Sequence, residues 1–271
     1  MTAKAPAQAQ APGWRKCGIA SADAAGRRKR AVWGVAEEEP VEIGFNGKPW
    51  VVMLASPMDL EDLARGLSFT EGVVEDVSRI ESMDIRAHPE GWTVDIAIPD
   101  GALTDRARKF RTLEGRTGCG LCGVETLADA VRRPAGPIAP LTIDDAAILR
   151  AFSELKDWQP LNAATYSVHA AAWCAPNGEI RLAREDAGRH NALDKLIGAL
   201  LMLEEKPGDG FIVMTSRCSM ELVQKTAAFG APLLATVSAP TGRALDLAAA
   251  AGLAIRCLGP DGGVVSFDQG E

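Results

Sequence analysis

No stretch of this chain approaches the roughly 20 consecutive apolar residues that a membrane-spanning helix needs, so no span is expected in its 271 residues. Met1 to Gly13 is rich in Ala, Pro and Gln and lacks the apolar stretch of a secretory signal. It reads as the start of a disordered leader, and the expected compartment is the cytoplasm. An excess of basic charge is missing as well. The net charge of −7 argues against a general affinity for nucleic acid. Of the six cysteines, Cys17, Cys119, Cys122, Cys174, Cys218 and Cys257, only Cys119 and Cys122 lie close together. In a reducing compartment such a pair serves catalysis or metal rather than a structural bridge. No second CxxC exists to complete a four-ligand zinc site, and there is no internal repeat.

What is present is ordinary for a globular protein: 47% apolar and 24% charged residues, enough chain for one large domain or two modest ones. Val41 to Ala55 reads as a hairpin turned by Asn46-Gly47, and Ser56-Pro57 as the cap and first residue of a helix carrying Leu60, Leu63, Ala64 and Leu67. Trp92, Val94, Ile96 and Ile98 alternate as on a strand. A basic helix is expected near Leu103 to Arg111, then a loop over Gly115 to Gly123 and a helix over Val124 to Arg133. Pro134 and Pro137 stop that helix. Beyond the stop the pattern is helix (Thr142 to Trp158), hairpin (Val168 to Arg184), then alternating helices and strands to Phe267. This alternation predicts a largely parallel sheet with helices on both faces. The fold class is therefore α/β, a three-layer sandwich with a smaller N-terminal α+β part. We divide the chain into a disordered leader (1–30), an N-terminal part ending in the cysteine loop and its helix (31–136), and an α/β domain (137–271).

The cysteine loop carries the strongest chemical signal. In Gly118-Cys119-Gly120-Leu121-Cys122-Gly123, glycines flank Cys119 and follow Cys122, which lets a bulky partner approach the backbone. Arg106, Arg108, Lys109, Arg111 and Arg116 precede the pair, and a helix N-terminus follows it. Both favour thiolate over thiol. A thiol carrier leads this reading; structural zinc and a dithiol redox pair remain alternatives. The other four cysteines read as bystanders, and Arg27 to Arg30 as a solvated tail.

The second signal lies at strand ends. His169 stands on a first strand in a hairpin-then-α/β order, the architecture of the zinc deaminases. Their chemistry needs H-x-E and P-C-x-x-C, yet Ala171 stands in the Glu place and no P-C-x-x-C follows, so deamination and a bound metal are not expected. Glu185 to Lys195 crowds Arg189, His190, Asn191, Asp194 and Lys195 into one strand-to-helix turn. Thr215, Ser216, Arg217 and Ser219 follow the next strand, and Ser238 and Thr241 the one after. Polar strand ends along one edge suit a ligand bearing phosphates or a nucleotide.

Thr70-Glu71-Gly72, Gly118 to Gly123, Glu185 to Lys195, Val223-Gln224-Lys225 and Ser238 to Thr241, in this order over roughly residues 30–268, resemble the formate dehydrogenase accessory sulfurtransferases. The resemblance implies a cytidine-deaminase-like fold. It implies a persulfide carrier that takes sulfur from a cysteine desulfurase, with Cys119 as carrier and Cys122 assisting. It further implies transfer of that sulfur to the molybdenum bis(molybdopterin guanine dinucleotide) cofactor of formate dehydrogenase, and a homodimer. A chaperone that holds this cofactor without transferring sulfur is the alternative. Family contacts to the cofactor also fall at Leu258, Gly259, Pro260, Asp261, Gly262 and Gly263, where this chain lacks the usual aromatic and arginine residues. Tyr166 and Ser167 stand where glycines are usual.

Overall fold

The computed structural model describes residues 13–23, 26–105 and 136–267. Cys119 and Cys122, the basic run at 106–116 and the helix expected at 124–133 lie outside the described residues. Within the range expected as a leader, the described residues form strands. β1 (Trp14–Ala22) pairs antiparallel with β2 (Arg28–Ala36) as a two-stranded ribbon. Arg28 to Arg30 are therefore strand residues, not a tail. Composition hid this pairing, because the alternation in β1 uses small residues and cations instead of a clear apolar face.

Asn46-Gly47 turns the chain with φ of 52° and 72°, the positive values a tight hairpin turn demands of both central residues. It joins β3 (Glu39–Phe45) to β4 (Lys48–Ala55). After α1 (Leu60–Thr70), β5 (Ser82–His88) and β6 (Gly91–Ala97) complete a sheet ordered β4-β3-β6-β5. One face is apolar and clusters Val41, Ile43, Phe45, Val94 and Ile96 with Leu63 and Leu67 of α1. Ser56 does not cap this helix. The helix opens after Asp59, which has φ of 51°, because Ser56 is bound elsewhere: its N–H donates to Asp186 Oδ2 at 2.9 Å and its hydroxyl accepts from Ala187 N at 3.1 Å.

The second part begins with α2 (Asp145–Glu154) and a short α3 (Pro160–Thr165). The hairpin of β7 (His169–Cys174) and β8 (Ile180–Asp186) follows, then α4 (Arg189–Met202), β9 (Phe211–Cys218) and α5 (Met220–Phe229). β10 (Leu233–Pro240), α6 (Gly242–Ala251), β11 (Ala254–Leu258) and β12 (Val264–Ser266) complete it. The sheet order is β12-β11-β10-β9-β7-β8. Ile148 and Ala151 of α2 pack on one face with Ala170, Ala172, Phe211 and Val213. Leu193, Leu196 and Ile197 of α4, with residues of α5 and α6, pack on the other against Trp173, Ile212 and Met214. Helices thus cover both faces, as the alternation predicts. The sheet is mixed and not largely parallel. β9 pairs parallel with β10, and β10 with β11, but β7 is antiparallel to both neighbours and β12 to β11. A two-strand hairpin at the start of the sheet forces this reversal, since its short turn cannot make a parallel crossover.

α1 lies against α4 more closely than side chains allow. A β-carbon on Gly66 would collide with the Asp194 carbonyl, and one on Gly198 with the Asp62 carbonyl. Helix propensity alone would reward Gly198→Ala by roughly 1 kcal/mol. Overpacking a backbone contact costs about 1–3 kcal/mol, so a net loss is expected. A urea titration showing Gly198→Ala more stable than the parent would refute this close approach.

Candidate functional site

Strand direction gathers the polar strand ends. β8, β9, β10 and β11 run the same way and β7 runs against them. One edge of the sheet therefore holds the start of β7 (His169), the end of β8 with the N-terminus of α4 (Arg189, His190), and the end of β9 with the N-terminus of α5 (Thr215 to Ser219). It also holds the end of β10 (Ser238 to Thr241) and the turn after β11 (Leu258 to Gly263). Carboxyl ends of strands in α/β sheets are where ligands bind. β10 departs from regular register with β9 between Thr236 and Pro240, an irregularity typical of strands beside sites.

Buried polar atoms without partners mark the edge. His190 is 8% exposed, and its Nε2 stands 3.8 Å from Glu221 Oε2, longer than a hydrogen bond. Arg189 Nε, His190 Nε2 and Ser219 Oγ are buried with no hydrogen-bond partner among the described residues. Buried donors are almost always satisfied, so three orphans at facing helix N-termini fit a site whose ligand or water supplies the missing acceptors. Glu221 belongs to the same cluster and its role is not evident from the sequence. The His190 imidazole beside it holds its carboxyl down at about 2. The only hint in the chain is its place in the first turn of α5, where an acidic group is common for dipole reasons alone.

His169 Nδ1 lies 3.3 Å from Thr215 Oγ1, which accepts from Ala170 N at 3.0 Å. Burial, then Arg189 and His190, push the His169 imidazole below its usual 6.5. The unfolded chain therefore takes this proton first, and the stability tied to neutral His169 is present above pH 6.5 and lost as pH falls through the lower folded value. Replacement by glutamine is expected to flatten the acid-side decline in unfolding free energy that begins as pH falls below about 6.5. An unchanged slope in His169→Gln would rule this out.

Three of the expected ligand contacts face inward instead. Asn191, Asp194 and Lys195 lie on the side of α4 that meets the N-terminal part. Asn191 Nδ2 donates to Leu54 O at 2.8 Å and to Asp186 Oδ1 at 2.9 Å. Lys195 Nζ, fully buried, pairs with Asp186 Oδ2 at 2.7 Å and donates to Ser56 O at 2.9 Å. Asp194 accepts from Thr70 Oγ1 at 2.6 Å and pairs with Lys225 Nζ at 2.8 Å. These residues weld the two parts together and offer nothing to a ligand, because the helical turn carries them away from the edge that Arg189 and His190 face.

The remaining positions divide in the same way. Arg217 and Ser238 are exposed at the edge. Ser216 Oγ donates to Arg217 O at 3.0 Å, and Thr241 caps α6 by accepting from Ala244 N at 3.4 Å. In the turn after β11, Gly259 N donates to Gly263 O, Gly262 N to Gly259 O and Gly263 N to Asp261 Oδ1. Those N–H groups close the turn and are not offered to phosphates. Among the described residues, no group of three or more His, Cys, Asp or Glu is placed to hold a metal ion, and no helix is long and apolar enough to cross a membrane. Cys174 and Cys218 are buried. Burial pushes both thiols up, that of Cys218 to about 12, which leaves them unreactive.

A family model described as the FdhD/NarQ family matches residues 36–262. The chain belongs to this family. A sulfur carrier protein FdhD from Chromobacterium violaceum is 50% identical over 226 residues, covering 82% of this chain and 83% of that one. Another, from Bordetella bronchiseptica, is 45% identical over 218 residues, covering 79% of this chain and 78% of that one. The fold resembles the crystal structure of a protein from Desulfotalea psychrophila described as a formate dehydrogenase accessory protein. Their TM-score is 0.73 at 23% identity, over 95% of this chain and 98% of that one. The family match spans the Cys119 to Cys122 motif and the carboxyl edge as far as Gly262.

Proposed function

We propose that this chain is a cytoplasmic, homodimeric sulfur carrier for formate dehydrogenase maturation. Its Cys119 takes sulfur as a persulfide from a cysteine desulfurase and passes it to the molybdenum bis(molybdopterin guanine dinucleotide) cofactor. The observation that carries this reading is membership in a family whose relatives are named sulfur carriers. The loading step is a thiol exchange. Cys119 thiolate attacks the outer sulfur of the desulfurase persulfide, a sulfur–sulfur bond forms on Cys119, the one on the desulfurase breaks, and that enzyme leaves as a thiolate. No oxidant is needed. The cofactor is cargo, and the carboxyl edge is its seat: the orphaned Arg189, His190 and Ser219 with exposed Arg217 supply donors for its phosphates. The deaminase-like domain (137–271) would then hold the nucleotide, while the N-terminal part (31–136) carries the thiol.

Two measurements test the two halves. Intact mass after incubation with desulfurase and L-cysteine is expected to show one added sulfur; a chain that binds cofactor yet never gains sulfur would be a chaperone instead. Calorimetry with GDP as a surrogate reads the edge. Arg189→Ala and Arg217→Ala are each expected to weaken binding by about 1.5–3 kcal/mol, the value of a charged hydrogen bond. Unchanged GDP affinity in both variants would remove the nucleotide from this edge.

A further inference from the structure

The turn that opens α4 has no cap of its own. Gly188 occupies the N-cap and offers no side chain to the first N–H groups of the helix, a place where Ser, Asp or Asn usually accept. Yet this turn must aim Arg189 and His190, whose buried Nε and Nε2 atoms lack partners among the described residues. Its two amides are held from elsewhere. Gly188 N donates to Asp186 Oδ1 at 2.8 Å, and Ala187 N donates to Ser56 Oγ at 3.1 Å. Asn191, in the first turn of α4, donates from Nδ2 to the same Asp186 oxygen at 2.9 Å and to Leu54 O at 2.8 Å. The other oxygen of Asp186 accepts from Ser56 N at 2.9 Å and from Lys195 Nζ at 2.7 Å. One fully buried carboxylate thus takes four donors, about as many as an ionised carboxylate can accept. They come from the turn, from α4 and from the N-terminal part.

Holding the two parts together does not require this charge. The close approach of Gly66 to α4, and Lys225 with Asp194, Glu71 and Thr70, already join them farther along that helix. Apolar residues of similar volume are often as stable as a buried ion pair. What apolar side chains cannot do is fix the direction of backbone amides. A binding site needs its own side chains held to within about 0.5 Å by the groups behind them. We propose that Asp186 is a positioning residue for the carboxyl edge: held from Ser56 and Lys195, its carboxylate fixes the turn at Ala187 and Gly188 and so aims Arg189 and His190 at the ligand. Both parts of the chain then build the edge, because Ser56 at the end of β4 supplies the acceptor for Ala187 N. The identity of the ligand rests on the nucleotide reading above; the positioning itself does not.

Variants of the full chain test this. Asp186→Asn leaves one acceptor oxygen where four donors meet. It is expected to weaken GDP binding about 10- to 100-fold, the size of effect that supporting partners have at metal sites. The chain has three histidines, so NMR of their ring protons reads the edge without any nucleotide. The signals of His169 and His190 are expected to move, while that of His88 on β5 stays. His169 should also titrate lower, because the Asp186 charge raises its proton affinity. Ser56→Ala removes only the side-chain acceptor of Ala187 N. Even if Asp186→Asn fails to fold, Ser56→Ala should move the same two signals and weaken GDP about two- to tenfold, as one lost hydrogen bond does. Lys225→Met is the control. It breaks the seam away from the turn, so stability should fall while GDP affinity and both histidine signals keep their parent values. A Lys225→Met that matches Asp186→Asn in these readouts would make the carboxylate merely structural and overturn the proposal. So would Ser56→Ala with unmoved histidines and full affinity. If the parent binds no GDP, the nucleotide reading fails, and the histidine signals alone decide the positioning.

Discussion

Lys225→Met is expected to lower the free energy of unfolding by about 3–5 kcal/mol, the range for stripping one partner from a buried ion pair. Lys225 Nζ sits between Asp194 Oδ2 at 2.8 Å, Glu71 Oε1 at 2.9 Å and Thr70 Oγ1 at 3.0 Å. Asp194 is fully buried. Methionine fills the stem of the lysine but leaves Asp194 with Thr70 as its partner, inside a seam that excludes water. A domain of this kind has only about 5–15 kcal/mol in hand, so the loss should be plain in a urea titration. Burial already pushes the Asp194 carboxyl above its usual 3.8, while Lys225 pulls it down. Removing the lysine leaves burial unopposed. A raised folded value means that the group favours folding below the unfolded value and disfavours it as pH rises through the folded one. Relative to the parent, the variant should therefore recover stability as pH falls from neutral toward about 4. Adding Asp194→Leu should restore most of the loss at pH 7, because replacing both members of a buried pair by apolar groups is often neutral. A single-variant loss under about 1 kcal/mol, or a double variant no better than the single one, would contradict this account of the seam.

That seam also shows where sequence reading stops. The hairpin at Asn46-Gly47 and the alternation from Arg189 to Leu258 are local signals. Turn chemistry and apolar period act within a few residues, and the elements stand where these place them. The gathering of polar strand ends at one edge was legible too, since it follows from strand order. Charge at a strand-to-helix turn does not reveal which way each side chain points. Arg189 and His190 face the edge, whereas Asn191, Asp194 and Lys195 face α1, and the difference depends on partners more than 100 residues away in sequence, such as Ser56 and Thr70. Ser56-Pro57 misleads for the same reason. A distant turn at Asp186 claims the serine, so local capping loses to tertiary demand. Glu221 could not be singled out, because its significance is the histidine it meets from another element.

Cys119→Ala is expected to abolish sulfur loading while leaving GDP affinity at the parent value. Loading requires a thiolate that can attack a persulfide, and alanine supplies no sulfur atom. On the proposed reading, nucleotide binding at the carboxyl edge would draw on Arg189, His190, Ser219 and Arg217 and not on Cys119. Among the remaining cysteines, Cys174 and Cys218 are buried with raised thiols, and burial raises that of Cys257 as well. Cys17 on β1 is only half-buried, so it is the residual thiol that could accept label by simple exposure. The experiment is therefore run in a Cys17→Ser background, with labelled L-cysteine and a desulfurase. Cys122→Ala in that background should still load, because its expected part is to assist Cys119 rather than to carry. The two halves then separate cleanly: Cys119→Ala binds nucleotide and carries no sulfur, while Arg189→Ala carries sulfur and binds nucleotide roughly 10- to 150-fold more weakly, the equivalent of a lost charged hydrogen bond. If Cys119→Ala loads label as the parent does and Cys122→Ala does not, the carrier is Cys122 and the two roles are reversed. If neither substitution changes loading, the sulfur does not travel through this pair at all.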